Sequence, residues 1–536
     1  MKNVRNGLVV GLIVCCVLAG CSNELENDNK QILQRGLAGD PDTLDPHKTS
    51  SVQGHRILVD IYEGLLRYDA FGKLEGGVAD SYSVSKDGLT YTFKLRANAK
   101  WSNGDRVTAG DFEYAFERLV DPNTAAFYAT FLRVIENAHE ILAGDAKAAT
   151  LGVTAVSDNE LVIKLQEPAV YFPQLLTHPA TSPLHEASIE KLGEKWARPG
   201  SMVSNGAYNL TGGGPLSAYY DLAKNEHYHE AEKVTIDNVR WHVIVDDSAM
   251  YNRYRAGEIH ITGTVPSVAF DVIREERPNE LKVAPRLGVY YYGLNLTKPP
   301  FGDNAKLRKA LSMVIDRDLL VEAVKRRGEL PAYGFVPPGI EGYEPARFEY
   351  AEKPIEERIA EAKKLYAEAG FNESKPAKFE IRYNVGEGEQ RMAIAVQAMW
   401  REALGADVEL HNEEYKVLIS NIKQMTITEA FRLSWIGDYF DPLTFLELGQ
   451  TGNQQNLTGW SNERYDELME MASREQDVEE RMSMFREAER IFINDHAIIP
   501  LYFYVSNHLV SEEVKGWNDT LVDFHPSQYL SLDATD

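Results

Sequence analysis

The sequence predicts an α/β protein of two or three domains. Its 536 residues are more than one hydrophobic core usually supports. Helical and strand periodicities both occur along the chain. The clearest case is a strand near Phe379–Tyr383, a helix near Gln390–Leu404 and a strand near Asp407–Leu410. This succession is a βαβ-like unit, which is typical of α/β folds.

The N-terminus predicts export. Lys2 and Arg5 precede an apolar run, Gly7–Gly20, that is too short to span a membrane and has the length of a signal-peptide core. The run ends in "LAGC", which resembles the bacterial lipobox, so we expect residues 1–20 to be removed and Cys21 to be acylated. A plain signal peptide with a chance cysteine is the alternative. Residues 21–35 form a polar tether, and the protein is expected in the periplasm or cell envelope, held to the membrane by its lipid.

Charge and cysteine content exclude several classes of function. The net charge of −25 argues against nucleic acid as a partner, because phosphate binding needs a basic surface. The three cysteines are Cys15, Cys16 and Cys21. The exported part therefore keeps no thiol for a disulfide, a zinc-thiolate site or a cysteine nucleophile.

Further elements follow from local patterns. A half-buried strand is predicted at Leu89–Leu95, followed by a turn at Asn103–Asp105 and a capped helix at Thr108–Val120. Helices are also predicted at Asn304–Val324 and Pro354–Gly370. The Pro-rich stretches "KPPFGD" and "VPPGIEGYEP" are predicted loops.

Catalytic signatures are missing from the sequence. It has no G-x-S-x-G, H-E-x-x-H or P-loop motif. Ser188–Lys191 fits the loose S-x-x-K pattern, for which a helix surface is the better interpretation. His227 and His229, with a neighbouring glutamate, have the spacing of metal ligands, but a surface turn with solvated histidines is favoured. We expect no catalytic residue, no metal and no cofactor.

One acidic residue stands in an unusual setting. In "SWIGDYFDP", Asp438 follows Gly437 and lies among Trp435, Tyr439 and Phe440. A carboxylate among aromatic rings is costly to desolvate unless a positive group meets it. Taken alone, Asp438 is a helix cap, a turn residue or a ligand contact.

Seven motifs occur in order from about Gly36 to near the C-terminus. They are Gly39–Lys48, Ile61–Asp69, Val78–Ala125, Val203–Leu210, Asn252–Ile259, Leu307–Asp318 and Asn462–Met469. Together they resemble the extracytoplasmic solute-binding proteins of peptide ABC importers, solute-binding protein family 5. The resemblance is strongest to oligopeptide-binding members, and murein-tripeptide-binding members come second.

The resemblance implies a two-lobed periplasmic-binding-protein fold, class II or cluster C type, with an extra α/β domain on the first lobe. The implied division assigns 36–63, 186–288 and 507–536 to lobe I, 64–185 to the extra domain and 289–506 to lobe II.

The resemblance also implies a binding mode. Asp438 would meet the peptide α-ammonium, and Ser434, Trp435, Ile436 and Gly437 would pair with the peptide backbone as a strand does. Trp435 would also wall a side-chain pocket. Further implied contacts are Arg432 for acidic groups or the ligand carboxylate, the aromatic walls Tyr128 and Tyr415 (a tryptophan in the family), Tyr291 on the rim, and Ser50 and Val52 on lobe I.

Alternatives stay open for several of these residues. Core packing would explain Trp435, Tyr128 and Tyr291, and an ion pair with Glu429 would explain Arg432.

The chain departs from the family pattern at several cleft positions. Gly288 and Ile436 stand where relatives carry a disulfide, and Gly293 replaces an acidic residue. Glu389 replaces a histidine that can meet the C-terminus of a short ligand. The segment Asn421–Phe431 is one residue longer than in the family, and Lys423 is the residue in it that corresponds to a basic cleft residue of the relatives. An acid at Glu389 disfavours capture of a free carboxylate there, so the preferred ligand length is left open.

The expected function is that of a monomeric, lipid-anchored oligopeptide receptor that delivers its ligand to an ABC permease complex of the inner membrane. One alternative is a murein-tripeptide receptor, whose extra ligand carboxylate would meet Arg432 and Lys423. Another is an exported metal-dependent hydrolase that uses His227 and His229. A third is a lipoprotein whose cleft serves signalling or chaperoning.

Overall fold

The computed structural model describes residues 31–425 and 429–533. The predicted signal peptide, the predicted lipidation site Cys21 and residues 21–30 of the tether lie outside this range. Within it, no helix is both long enough and apolar enough to cross a membrane.

Strands are distributed over the whole described chain. They are β1 (Ile32–Leu37), β2 (Leu66–Tyr68), β3 (Leu74–Gly76), β4 (Ala79–Val84), β5 (Thr90–Leu95), β6 (Val153–Ser157), β7 (Glu160–Lys164), β8 (Tyr208–Gly213), β9 (Tyr219–Lys224), β10 (Asn238–Val243), β11 (Leu281–Leu294), β12 (Leu330–Pro331), β13 (Lys378–Asn384), β14 (Asp407–Glu413), β15 (Ala430–Ile436), β16 (Ile498–Leu509), β17 (Val514–Lys515) and β18 (Ser531–Leu532).

Helices alternate with the strands. They are α1 (Val52–Ile61), α2 (Ala109–Val120), α3 (Ala138–Ala143), α4 (Phe172–Leu175), α5 (Glu186–Leu192), α6 (Asp247–Arg255), α7 (Phe270–Glu276), α8 (Ala305–Met313), α9 (Arg317–Leu319), α10 (Ile355–Glu368), α11 (Glu387–Leu404), α12 (Tyr415–Lys423), α13 (Leu443–Leu446), α14 (Glu463–Arg474) and α15 (Val478–Asn494).

Three sheets organise the molecule. One has the order β1-β10-β9-β8, a second β4-β5-β7-β6, and the largest β12-β16-β11-β15-β13-β14. We propose that they form the cores of lobe I, the extra domain and lobe II, in that order. The largest sheet positions the candidate site.

The predicted βαβ-like unit is confirmed. β13 and β14 are parallel from Lys378↔Asp407 to Asn384↔Glu413, and α11 connects them. β13 also pairs with β15, but only at Ile381↔Ala430 and Arg382↔Phe431. The remainder of β15 therefore has β11 on one side and no strand on the other, within the described residues.

Two continuous strands connect the proposed lobes. β11 runs antiparallel to β16 from Leu281↔Leu509 to Gly293↔Ile498, with a β-bulge between Pro285 and Val289. The implied lobe borders, 288/289 and 506/507, fall inside these strands. A bulge bends a strand and increases its twist, so this segment is where the lobes would pivot.

One predicted helix is confirmed and another is interrupted. α2 begins after Thr108 with the expected capping box, in which Asp111 Oδ2 accepts from the Thr108 N–H at 2.7 Å. The helix predicted at Asn304–Val324 is broken, because α8 ends at Met313 and a π-helical segment, Leu320–Lys325, follows α9. The break has a physical cause: Asp316 caps a new helix by accepting from the Leu319 N–H at 3.1 Å.

Candidate functional site

The site begins with the unpaired side of β15. Past Phe431, no described strand hydrogen-bonds to the side of β15 that faces away from β11. We call this side the open edge. An exposed strand edge is a ready template for pairing with another extended chain.

The pairing register shows which backbone groups face the open edge. The Gly437 N–H donates to the Leu287 carbonyl at 2.8 Å. Antiparallel strands alternate between residues that bond to the neighbour and residues that point away. Gly437 and Trp435 therefore bond toward β11, while the N–H and C=O groups of Ser434 and Ile436 point to the open edge.

Asp438 lies at the end of this edge. It is partly buried, and its backbone N–H donates to Thr444 Oγ1 at 3.4 Å. No hydrogen-bond donor or cation in the described range pairs with its carboxylate. Burial, and to a lesser degree the nearby Glu447, raises the pKa of Asp438 to about 7. The site thus contains a desolvated acid that lacks a positive partner.

The aromatic neighbours of Asp438 pack against residues of the proposed extra domain. Tyr439 stacks on Tyr171 with ring centroids 5.2 Å apart, and Phe440 meets Tyr68 edge to face at 4.9 Å. These contacts explain the aromatic composition around Asp438, since the rings bury their own area and leave the carboxylate unpaired.

The second acid of the motif is paired. Asp441 receives two hydrogen bonds from Arg481, at 2.5 and 3.0 Å, and both side chains are buried. Asp441 is therefore a structural residue, three positions from an acid with no partner.

The other end of β15 has a self-contained charge cluster. Arg432 Nε lies 3.2 Å from Glu389 Oε2, which also accepts from the Tyr290 hydroxyl at 2.5 Å. The guanidinium lies 4.9 Å from the Tyr290 ring centroid. Arg432 does not pair with Glu429, the alternative considered from the sequence, because Glu429 accepts the backbone N–H of Glu380 at 2.9 Å.

Lys325 belongs to the same cluster and was missed by sequence reasoning. Its ammonium lies 4.7 Å from the Tyr502 ring centroid and 3.7 Å from Glu329 Oε1, and burial lowers its pKa. The sequence contained no signal for it, since its position depends on the π-helical segment that ends there.

Tyr128 is part of an aromatic wall that includes two histidines the sequence did not reveal. Its ring lies 5.3 Å from His55 and 4.5 Å from His178. Burial lowers the pKa of His55 to about 4, and it lowers the pKa of His178 well below its ordinary value. Both imidazoles are neutral near pH 7, so the wall is uncharged. Tyr128 lies within electrostatic reach of Asp438.

The two candidates on the proposed lobe I lie just before and at the start of α1. Asp42 Oδ2 accepts from both the backbone N–H and the hydroxyl of Ser50, at 2.8 and 2.9 Å. Ser50 therefore has no donor left for a ligand, and its carbonyl remains as a backbone acceptor. Val52 is 38% exposed at the first position of the helix, and no acceptor in the described chain takes its N–H.

Trp435 and Tyr291 lie on the opposite face of the sheet from Ser434. The Trp435 indole N–H donates to Thr444 Oγ1 at 3.3 Å, and its side chain is only partly buried. Tyr291 is 5% exposed and packs edge to face on Phe335 at 5.2 Å. The expectation that Tyr291 lies on the cleft rim is wrong, because its position on β11 points the ring into the core.

Tyr415 and Lys423 begin and end α12. Tyr415 is 52% exposed and Lys423 is exposed. Among the described residues, neither side chain bonds to the cluster around Arg432, so their role as ligand contacts stays a prediction.

Gly288 and Ile436, at the two positions where the resemblance implies a disulfide in relatives, face each other. Gly288 is directly opposite Ile436, and a Cβ on Gly288 would lie 2.5 Å from the Ile436 side chain. The isoleucine therefore fills the space above the glycine. Gly293 is covered in the same way by the Phe431 ring, 2.4 Å from where its Cβ would be.

The histidine pair does not form a metal site. The His229 side chain is 3% exposed and bonds to Glu63 Oε1 at 2.6 Å, whereas His227 is exposed. The expectation of two solvated histidines is therefore wrong for His229. Within the described range, the only cluster with metal-ligand spacing is His508, Asp523 and His525. The Arg56 guanidinium forms an ion pair with the Asp523 carboxylate at 2.5 Å, so the cluster is an ion-pair network.

Comparison with known proteins gives a consistent result. The family described as bacterial extracellular solute-binding proteins, family 5 Middle, matches residues 73–456. The chain is 38% identical over 492 residues to the periplasmic oligopeptide-binding protein OppA of Salmonella typhimurium, covering 91% of this chain and 90% of the relative. It is 37% identical over 490 residues to the periplasmic murein peptide-binding protein MppA of Escherichia coli, covering 91% and 90%.

Solved structures agree. Haemophilus influenzae OppA in complex with RPPGFSPFR has a TM-score of 0.80 at 35% identity and covers 94% of this chain and 99% of its own. The unliganded open form of MppA has a TM-score of 0.81 at 36% identity, covering 94% and 97%. The similarity thus extends over nearly the whole length of these relatives.

Proposed function

Since this chain belongs to the family 5 bacterial extracellular solute-binding proteins and has their two-lobed α/β fold, we propose that it captures oligopeptides in the cleft between its lobes and delivers them to an ABC permease. The family consists of substrate-binding receptors, and we assign this chain no catalytic activity. Asp438 receives the peptide α-ammonium, and the open edge of β15 receives the peptide backbone.

One observation carries the proposal: an unpartnered, desolvated carboxylate lies at the end of an unpaired strand edge. The α-ammonium is common to all unmodified peptides and is the cation that this carboxylate lacks. The outward N–H and C=O groups of Ser434 and Ile436 match the backbone of any extended peptide. The two features together recognise what peptides share and leave their side chains free to vary.

The remaining cleft candidates fit this arrangement. Val52 and the Ser50 carbonyl offer backbone groups from lobe I, and the neutral wall of Tyr128, His55 and His178 tolerates side chains of different types. Ordered water bridges the polar groups of such side chains at small cost. Trp435 and Tyr415 extend the apolar surface.

We further propose that the protein is a monomeric lipoprotein of the cell envelope. The apolar N-terminal run and the "LAGC" sequence ending at Cys21 support acylation. A lipid at Cys21 followed by a polar tether would hold the receptor near the permease.

The murein-tripeptide alternative is not favoured by the charge arrangement. The extra carboxylate of such a ligand was expected to meet Arg432 and Lys423. Arg432 is already paired with Glu389, and no contact places Lys423 beside it.

The test is calorimetric titration of the purified receptor with a defined tetrapeptide. Asp438→Ala is expected to lower the affinity by on the order of a hundredfold or more, because loss of one partner of a buried charge pair costs about 3–5 kcal/mol. Asp158→Ala, at an exposed aspartate of the extra domain, is the matched control and should bind as the wild type does. The N-acetylated tetrapeptide should bind the wild type as weakly as the free peptide binds Asp438→Ala. Unchanged affinity in Asp438→Ala would refute the assignment.

A further inference from the structure

Arg286 is a cation without a partner at the pivot between the proposed lobes. It lies on β11 inside the β-bulge between Pro285 and Val289. Its Nε is buried and makes no hydrogen bond, and no ion pair to its guanidinium occurs among the residues described. Burial lowers its pKa, an effect that nearby Asp523 opposes. A desolvated guanidinium of this kind is costly unless an anion meets it.

The side chain lies on the cleft face of the sheet. Arg286 is two residues before Gly288, whose missing side chain would contact Ile436 and Tyr504. Tyr504 is in electrostatic reach of both Arg286 and Arg432. The Gly437 N–H bonds to the Leu287 carbonyl, so the ladder continues one residue past Gly288↔Ile436, and Arg286 is the next residue of β11 toward the Asp438 end. Arg286 is therefore at the end of the cleft where the peptide begins.

A second cation reaches the same place from lobe I. Arg56 is four residues after Val52 on α1, and residues at this spacing share one helix face. Val52 is one of the proposed backbone contacts. Arg56 therefore lies on the same face of α1, one helical turn further along the helix. Arg286 and Arg56 are within electrostatic reach of each other.

Positive charge exceeds negative charge at this point. Among the described residues, Asp523 is the one carboxylate in electrostatic reach of Arg286, and Arg56 already binds it at 2.5 Å. His508 lies between the Thr262 carbonyl at 2.8 Å and Asp523 at 2.7 Å. Two arginines thus share a single carboxylate, which also contacts the His508 ring.

The far end of the cleft has the opposite balance. There Glu389 neutralises Arg432, and Glu329 lies beside Lys325. Anion recognition is therefore available near Arg286 and largely cancelled near Arg432.

We propose that Arg286, backed by Arg56, is a specificity-determining residue that selects peptides with an acidic side chain close to their N-terminus. The inference rests on the proposed function, because the position of the peptide N-terminus is set by Asp438. The ligand is an oligopeptide that has aspartate or glutamate within its first residues. The acidic side chain supplies the anion that Arg286 lacks in the free receptor.

The test uses tetra-alanine and a set of its variants that carry a single Glu or Gln at each of the four positions, titrated calorimetrically. The wild type should bind the Glu peptide at least tenfold more tightly than the Gln peptide at one position in the N-terminal half. Arg286→Gln should reduce that preference to less than threefold while keeping the affinity for the Gln peptide. Arg474→Gln, at an exposed ion pair on α14, should retain the wild-type preference.

The outcomes separate the two proposals. If tetra-alanine itself does not bind the wild type, the proposed function fails. If tetra-alanine binds and Glu equals Gln at all four positions, the inference about Arg286 is refuted and the proposed function stands. A Glu preference that persists in Arg286→Gln also refutes it. The wild-type comparison decides the question even if the variant does not fold.

Discussion

Glu389 neutralises Arg432: its Oε2 lies 3.2 Å from the guanidinium Nε and accepts a hydrogen bond from Tyr290. This pairing has a consequence for ligand length. An extended peptide advances about 3.3 Å per residue, so a ligand that starts at Asp438 needs roughly four to six residues to bring its C-terminus to Arg432. There its carboxylate would have to compete with Glu389.

Glu389→Gln should release Arg432 for the ligand. The wild type is expected to bind free-acid and amidated peptides of four to six residues within threefold of each other. In Glu389→Gln, one length should show a preference of about tenfold for the free acid, which is worth about 1.4 kcal/mol. Calorimetry with matched acid and amide peptides measures this. A tenfold preference already present in the wild type would show that Glu389 does not block Arg432.

Asp438 and Asp441 should respond in opposite ways to the same substitution. Asp441→Asn breaks a buried bidentate pair with Arg481 and should lower the free energy of unfolding by about 3–5 kcal/mol. Asp438→Asn removes a charge that has no partner, so the peptide-free protein should keep or gain stability at pH 7.5. Urea unfolding of both variants without peptide measures the difference. Equal destabilisation would mean that Asp438 is also a structural residue.

Peptide-free stability should depend on pH through Asp438. The folded-state pKa is raised to about 7 by burial and by Glu447, against an ordinary value near 4. The native state therefore holds a proton that the unfolded chain releases, and the stability this contributes is lost as the pH rises through about 7. Each unit of difference between the folded and unfolded pKa is worth about 1.4 kcal/mol. The free energy of unfolding should therefore fall by on the order of 2–4 kcal/mol. Asp438→Asn should not show this loss between pH 5 and pH 8, and parallel pH profiles of the two proteins would contradict the assignment.

Peptide affinity should change with pH in the opposite direction. Binding needs an ionised Asp438, so the wild-type affinity should rise from pH 5 to about pH 7. It should fall again above pH 8, because the peptide α-ammonium loses its proton near that value. Titrations of one tetrapeptide across this range test the profile, and an affinity that is highest at pH 5 would refute it.

Sequence reasoning succeeded where local pattern determines structure. Alternating apolar residues placed β5 and β13, and the capping residues placed α2, because these features depend on near neighbours in the chain. Asp438 was recognisable because an acid among aromatic residues is unusual in any fold. Its placement at a strand end could be confirmed only in three dimensions.

The missed features all depend on long-range contacts. The helix predicted at Asn304–Val324 is interrupted where buried Arg317 donates to the Pro500 carbonyl at 2.8 Å, a partner on a distant strand. The Arg432–Glu389 pair joins β15 to the first turn of α11, and periodicity carries no information about such a pair. The open edge exists because β13 pairs with β15 at only two residues, which is a property of the sheet as a whole.

The open edge itself is testable with a proline substitution. Ile436 is 37% exposed, and its N–H points away from β11. Ile436→Pro removes this donor and places a ring on the edge, yet it leaves the ladder to β11 intact, because proline is tolerated where a strand N–H faces outward. Peptide affinity should fall on the order of tenfold to a hundredfold, since a lost hydrogen bond worth about 1 kcal/mol is joined by steric exclusion.

Two controls make the result interpretable. Ile436→Val keeps the N–H and should bind peptide within threefold of the wild type. Trp435→Pro removes an N–H that bonds to β11, so it should destabilise the fold itself and lower the unfolding temperature. If Ile436→Pro keeps full affinity with an unchanged unfolding temperature, the peptide backbone does not pair with this edge, and recognition would have to rest on Asp438 and the side-chain pockets alone.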